Sequence, residues 1–334
     1  MEEFSLPPIT VLTPVYNGAR YISTTIESVL QQHYPRLEYL VLDDGSTDAT
    51  AAILASFGDA VRVETHANCG EARTINRGLA LASHDIIGIV NADDPILPGL
   101  LHEVGRAFGA DPELSGVYPD WVWIDSDGAM IRKVVTYEFD LRVMLEQHLC
   151  IPGPGAHFRR SHLAGEPVRN PERRSSADFD FWLRLGSRGT IRRLPRTLAT
   201  WRQHALGTSS AGCNPKMAED KVAVVESFFA RSDLPAEIRA LEQQARSAAY
   251  HHAGMLGLRG AGIPAFTYFV RSFLSKPMWS SDIYHSQRRS LPHMLYAAAQ
   301  PLSGRMHEAM GALLPERWGR RAVLEQRFGV EHDT

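Results

Sequence analysis

Short apolar runs alternate with amphipathic stretches through the first half of the chain. Residues 9–15 form the first apolar run and end in Pro14-Val15-Tyr16-Asn17-Gly18, a turn-forming cluster. Ile22, Ile26, Val29 and Leu30 then fall on one helical face, which stops before Pro35. Residues 39–42 predict a second strand running straight into Asp43-Asp44-Gly45-Ser46-Thr47-Asp48. Ser46 reads as the N-cap of a helix over 48–57 that Gly58 closes. Residues 61–64 read as a third short strand, and Asn68-Cys69-Gly70 turns into a helix over 71–82. The run over 86–90 is β-branched and is followed at once by Asn91-Ala92-Asp93-Asp94-Pro95. It reads as a buried strand delivering adjacent carboxylates to a sheet edge. Regular alternation of strand and helix implies a largely parallel sheet covered on both faces.

Composition narrows the class. The 334 residues suit one large domain or two smaller ones, and 44% hydrophobic with 22% charged residues is ordinary for a globular protein. A net charge of -3 argues against nonspecific binding of nucleic acid. Cys69, Cys150 and Cys213 are odd in number and far apart, which suggests a reducing compartment with neither a zinc motif nor a disulfide framework. Glu2 and Glu3 replace the basic start of a signal peptide, and no apolar run approaches the roughly 20 residues that span a bilayer. The expected location is the cytoplasm, or the inner face of a membrane in peripheral contact.

The chemistry gathers where strands end. Open α/β sheets bind ligands outside the carboxyl ends of their strands. Adjacent carboxylates repel and are costly to desolvate, so Asp93 and Asp94 call for a compensating charge. A divalent cation such as Mg2+ or Mn2+ holding a phosphate supplies it; the alternative is a polar turn opened by Pro95. Asp43 to Asp48 is either a second part of a nucleotide site or a capped turn. There is no Gly-x-Gly-x-x-Gly after the first strand and no Walker lysine, so dinucleotide and P-loop readings are weak.

Pro14-Val15-Tyr16-Asn17, Asp43-Asp44-Gly45-Ser46-Thr47-Asp48, Asn68-x-Gly70, Asn76-x-Gly78 and Asn91-Ala92-Asp93-Asp94 resemble, in order and spacing, the motifs of family 2 glycosyltransferases. The resemblance covers about residues 8–210. It implies a GT-A nucleotide-sugar-binding α/β fold with a predominantly parallel mixed sheet. It also implies nucleotide contacts from Pro14, Tyr16 and Asp44, and a metal and ribose pair in Asp93 and Asp94. Asn91 stands where many members carry Asp. Arg73 matches the family's arginine loosely and is either a diphosphate partner or a surface residue. Asp120, in Tyr118-Pro119-Asp120, resembles the family's Tyr-Gly-Asp, which implies a residue facing the donor sugar.

Downstream, residues 100–108 read as a helix, and 116–125 as a strand pair kinked at Pro119. Residues 151–156, Ile-Pro-Gly-Pro-Gly-Ala, either line the sugar pocket or make a structural turn. Asp178 opens an apolar-faced helix carrying Phe181, Trp182 and Leu185. It is a helix cap or, as the resemblance implies, the general base, with Asp180 the second choice. Arg202-x-His204 followed by Ser209-Ser210 resembles the family's closing motif, whose His completes the metal shell or contacts the diphosphate; a structural His204 is the alternative.

After about residue 213 the pattern turns helical. Residues 216–229 and 235–258 are helical by periodicity, and Phe266, Phe269, Val270, Phe273 and Leu274 form an apolar stripe. Arginines from Arg288 to Arg327 make the tail basic. The stripe packs on the catalytic domain or on a second subunit, or it lies on an anionic membrane surface. The expected organisation is a GT-A catalytic domain over 1–212 and a helical C-terminal extension over 213–334. The expected activity is metal-dependent, inverting transfer of a sugar from a nucleotide diphosphate donor to a saccharide or lipid-linked saccharide acceptor, in bacterial polysaccharide or glycoconjugate synthesis. The alternatives are a sugar nucleotidyltransferase and a noncatalytic nucleotide-sugar-binding partner. The first usually wants a charged Gly-rich loop that Pro14 to Gly18 lacks.

Overall fold

The computed structural model describes residues 6–173, 175–204, 214–258 and 264–276. The chain forms two compact units. The first comprises Met1–Phe139, Ile151–Pro171 and Arg184–Ser210; the second comprises Asp140–Cys150, Glu172–Leu183 and Ala211–Thr334. The second unit thus takes in two segments from the middle of the chain as well as the C-terminal helices.

The first unit is built on strands β1 (Ile9–Val15), β2 (Leu37–Asp43), β3 (Arg62–Thr65) and β4 (Ile86–Ile89). These are joined by helices α1 (Ile22–Leu30), α2 (Thr50–Ser56) and α3 (Glu71–Leu81). Helix α4 (Leu100–Ala110) leads into β5 (Leu114–Ile124) and β6 (Met130–Val134). Among the described residues the sheet runs β3-β2-β1-β4, then β7 (His157–Arg159), β5 and β6, with β8 (Thr190–Arg202) beside β5. β1 pairs in parallel with both β2 and β4, and β2 in parallel with β3, while β7 pairs antiparallel with β4 and β5, and β6 antiparallel with β5. The chain steps outward through β2 and β3, then returns to the other side of β1. That reversal puts the switch point of the sheet, where such folds bind ligands, at the carboxyl ends of β1 and β4.

Burial explains the periodicity. Every residue of β1 is buried, because helices cover both sheet faces. Ile22, Ile26 and Val29 of α1 join Ile9, Val11 and Leu101 in one core cluster. On the other face α3 approaches closely at Gly78, where a Cβ would lie 2.3 Å from Leu42 Cδ1. The neighbouring Asn76 amide exchanges two hydrogen bonds with the Arg169 backbone, at 2.7 and 3.0 Å. In this structure the Asn76-x-Gly78 motif therefore does packing work.

Two local expectations change. Ser46 is not a helix cap: its hydroxyl accepts from Asn17 N at 2.9 Å, and Asp48 Oδ1 accepts from Thr50 N at the start of α2. The stretch around Pro119 is not a strand pair but the single strand β5. Proline lacks an N–H, and the register with β8 slips at Pro119/Asp120, where that loss is tolerated. The hairpin turn lies later, at Asp125 to Gly128: Asp125 Oδ1 accepts from Asp127 N and Ala129 N, and Gly128 has φ 91. Residues 151–156 make a tight packing turn. Gly155 has φ +76 and a Cβ there would sit 2.7 Å from Ala199 Cβ.

The second unit contains helix α5 (Leu141–Gln147), capped by Asp140, and most of α6 (Ala177–Gly186). It continues with α7 (Pro215–Phe229), the short α8 (Ala236–Arg239), α9 (Glu242–Gly257) and α10 (Ala265–Ser275). Pro215 follows the Asn214 cap at the N-terminus of α7, where its missing N–H costs nothing. α10 packs on α9 through small residues: a Cβ at Gly254 would meet the Phe269 ring at 2.7 Å, and Ser247 and Ser272 exchange hydrogen bonds. Phe269 is buried, but Phe266 and Leu274 of the same stripe are 46% and 69% exposed. No helix among the described residues is long and apolar enough to cross a membrane. Ser209, Ser210, Cys213 and the arginines from Arg288 onward lie outside the described residues.

Candidate active site

The carboxyl ends of β1, β2 and β4 gather one set of polar groups. The loop after β1 is clipped to the loop after β2 by side chains. Asn17 Oδ1 accepts from Thr47 N at 2.8 Å, Gly18 N donates to Thr50 Oγ1 at 3.0 Å, and Ala19 N donates to Asp48 Oδ2 at 3.2 Å. Asn17 takes the left-handed conformation, φ 52, which its short amide tolerates. This leaves Pro14 buried in β1 and the Tyr16 side chain 53% exposed at the loop tip.

Asp43 and Asp44 are both buried. Asp43 Oδ1 accepts from Ser46 N at 2.9 Å, closing the turn. Asp44 accepts from Cys69 N at 2.7 Å and Gly70 N at 2.9 Å, so it ties the end of β2 to the start of α3. Arg73 is exposed one turn into α3, and its guanidinium donates to Cys69 O at 3.3 Å.

The Asp93 and Asp94 carboxylates differ sharply. Asp94 is only 5% exposed, which corrects the expectation that it stands at an open sheet edge. Its Oδ1 accepts from Arg202 N at 2.7 Å and its Oδ2 from Asn91 Nδ2 at 3.0 Å. Burial foremost, and then the adjacent Asp93 charge, push its carboxyl up to about 7. Asp93 is the open member of the pair, with 29% of its side chain exposed, and its Oδ2 lies 2.8 Å from His204 Nε2. The His204 ring packs edge-on to Tyr21 at 5.0 Å, and the Arg202 guanidinium lies over Tyr21 at 4.5 Å. Arg202 also donates to Asp93 O at 2.8 Å and Asp125 O at 3.0 Å, binding the acidic loop to the β5–β6 turn.

A carboxylate oxygen and an imidazole nitrogen 2.8 Å apart suit neighbouring positions around an octahedral cation, which lie about 3 Å apart for metal–ligand bonds near 2.1 Å. The donor set fits Mn2+ or Mg2+, with the imidazole better matched to Mn2+.

Asp120 has a different setting. It is 3% exposed, and it accepts from Thr136 N at 2.9 Å, Arg193 Nε at 3.0 Å and Arg193 Nη2 at 2.8 Å. Those bonds, Arg193 foremost among them, hold its carboxyl below the usual range against the opposing effect of burial. Both oxygens are taken up inside the protein, pinning the segment after β6 to β8. In the second unit, Asp178 is exposed in the first turn of α6 while Asp180 is 6% exposed.

The structure brings Asp93, Asp94 and His204 together and adds Tyr21 and Arg202, the latter named in the sequence only as the start of the closing motif. The signal for Arg202 was period two: Thr200, Arg202 and His204 leave β8 on one face. Thr200 Oγ1 donates to Pro95 O at 2.6 Å, so this face supports the whole acidic loop.

A mostly parallel α/β sheet with carboxylates gathered at the switch point, backed by an arginine, is an arrangement of the GT-A type. Residues 10–164 match the model of glycosyl transferase family 2. A glycosyltransferase of Rickettsia prowazekii, RP339, is 25% identical over 220 residues, covering 62% of this chain and 68% of that protein. Among solved structures, TarS 1–349 of S. aureus in complex with UDP-GlcNAc superimposes with a TM-score of 0.61 at 17% identity, over 92% of this chain and 84% of that one. The mannosyltransferase PcManGT of Pyrobaculum calidifontis, in complex with GDP-Man and Mn2+, gives 0.53 at 19% identity, over 89% and 88%. At these identities the structural likeness speaks for the fold.

Proposed function

We propose that this glycosyltransferase moves a sugar from a nucleoside diphosphate donor to an acceptor hydroxyl with inversion, assisted by a divalent cation. The observation that carries the reading is the Asp93–His204 pair, held by Arg202 and backed by Asp94, at the switch point of the sheet. The complexes of TarS with UDP-GlcNAc and of PcManGT with GDP-Man and Mn2+ support a nucleotide-sugar donor and a metal. The acceptor is a saccharide or lipid-linked saccharide.

Asp93 and His204 would hold the cation, which when bound neutralises charge on the departing diphosphate. Asp94 keeps the Asp93 loop in place through Arg202 and Asn91. Pro14, Tyr16 and the turn held by Asp44 accommodate the nucleotide, and Arg73 offers a cation toward the phosphates. Asp120, held by Arg193 and Thr136, shapes the wall after β6. Asp178 takes the acceptor proton; its exposure and place in the helix favour it over the buried Asp180. Acceptor attack opposite the leaving group inverts the anomeric carbon.

Two measurements arise from this geometry. Asp44→Ala is expected to weaken nucleotide affinity about tenfold or more, about 1.4 kcal/mol, while leaving Mn2+ binding at Asp93 intact, because its carboxylate organises a different strand end from Asp93. Calorimetry giving unchanged nucleotide affinity would reduce Asp44 to a turn-forming residue.

The second measurement concerns pH. The Asp94 carboxyl is raised from 3.8 to about 7, so the folded chain holds a proton that the unfolded chain has lost. Its contribution to stability is full below about pH 4 and is lost as pH rises through about 7. A cation at Asp93 offsets the charge that then appears. Mn2+ is therefore expected to raise the melting temperature more at about pH 8 than at about pH 5. An equal shift at both pH values counts against a cation beside Asp94.

A further inference from the structure

Asp44, His66 and Cys69 form a compact trio of mixed donors at the ends of β2 and β3, and the proposed activity makes no use of the thiol or the imidazole. His66 Nδ1 lies 3.5 Å from Asp44 Oδ1 and 3.7 Å from Cys69 Sγ, and all three donor atoms fall within 4.8 Å of one another. A tetrahedral cation with ordinary Zn–N, Zn–O and Zn–S bonds sets its ligand atoms about 3.3–3.6 Å apart. The distances from Nδ1 are within a few tenths of an ångström of that.

The backbone carrying these groups is fixed. His66 N donates to Asp43 O at 3.1 Å, and Cys69 N donates to Asp44 Oδ1 at 2.7 Å. Gly45 sits so close that a Cβ there would lie 3.0 Å from both Asn68 N and His66 O. The His66 side chain is 10% exposed, and its Nε2 is buried without a hydrogen-bond partner. Its polar contacts lie on the Nδ1 edge, toward Ala67 O at 3.0 Å, Asp44 and Cys69. The Nδ1 edge of the imidazole is thus aimed at the carboxylate and the thiol.

We propose that Asp44 Oδ1, His66 Nδ1 and Cys69 Sγ bind a soft divalent cation of the Zn2+ class, at a site distinct from Asp93 and His204. Sulfur and imidazole select Zn2+ over Mg2+, whereas the carboxylate-led pair at Asp93 favours the harder ion. Binding displaces the Cys69 thiol proton to solvent and breaks the hydrogen bond from Nδ1 to Ala67 O, the neutral His66 ring then carrying its proton on Nε2. The three ligands leave a tetrahedral fourth position open.

The test is a Co2+ titration of the reduced, metal-free protein followed by absorption. The wild type is expected to give a saturable near-ultraviolet thiolate-to-cobalt band with visible bands of four-coordinate cobalt, bleached by Zn2+ and not by Mg2+. The thiolate band should vanish in Cys69→Ala and Cys69→Ser, and should weaken in His66→Gln. It should persist in Cys150→Ala, Cys213→Ala and Asp93→Asn, and circular dichroism reports whether each variant is folded. A wild type without the band, a band that survives Cys69→Ala, or a band lost in Cys150→Ala or Cys213→Ala overturns the assignment.

Discussion

Asp93→Asn is expected to reduce sugar transfer by roughly 10³-fold or more while the fold survives. A bound cation supplies several kcal/mol of charge stabilisation, and each 1.36 kcal/mol is tenfold in rate. Asparagine keeps the shape of Asp93 but loses the charge that would hold the ion. The side chain is 29% exposed, so its replacement opens no cavity. Chelation of the wild type should reproduce the loss, and added Mn2+ should reverse it. Asp94→Asn should behave differently. Asp94 is buried and binds Arg202 N and Asn91 Nδ2 through its two oxygens. An amide there points a donor at one of those donors, so melting temperature should fall together with activity. Full transfer in the presence of chelator would sink the metal-assisted reading and leave the fold untouched.

Asp178→Asn is the second large effect. Asparagine preserves size but does not accept a proton at neutral pH, so donor binding should stay near that of wild type. Transfer should fall by roughly 10²–10⁴-fold, the usual cost of losing a general acid or base. Asp180→Asn should reduce transfer much less and act mainly on stability, because Asp180 is buried in α6 and Asp178 is exposed. Rates measured with donor binding on both variants separate the roles. A dead Asp180→Asn with an active Asp178→Asn reverses them. Near-normal transfer in both means that this helix does not supply the base.

The elements of the first unit were legible because their signals are local. Continuous apolar runs marked β1, β2 and β4 and helical apolar patterns marked α1 and α3, since burial on both sheet faces makes a strand apolar throughout. The candidate site was legible as a set of residue types, since acids at strand ends mean something before any contact is known. The division of labour within the set was not. Asp93 and Asp94 are neighbours in sequence, and only the return of β8 makes one open and the other buried. Ser46 has the composition of a cap, yet a loop 29 residues away claims its hydroxyl. Asp120 resembles a sugar contact in its motif but meets Arg193, 73 residues on, across the β5–β8 ladder. Such partners are set by tertiary pairing, which no window along the chain contains. The cluster of Asp44, His66 and Cys69 is of the same kind: its spacing matches no metal motif, and the β2 and β3 ends bring it together.

The central claim is that the strand ends around Asp93 bind a nucleoside diphosphate through a divalent cation. Calorimetry with UDP and GDP, each with Mn2+ and each with chelator, tests it most directly. Saturable binding of at least one nucleotide in Mn2+ is expected, lost in chelator and lost in Asp93→Asn. Binding that is equally strong in chelator and in Asp93→Asn, or no binding of either nucleotide in Mn2+, would contradict it.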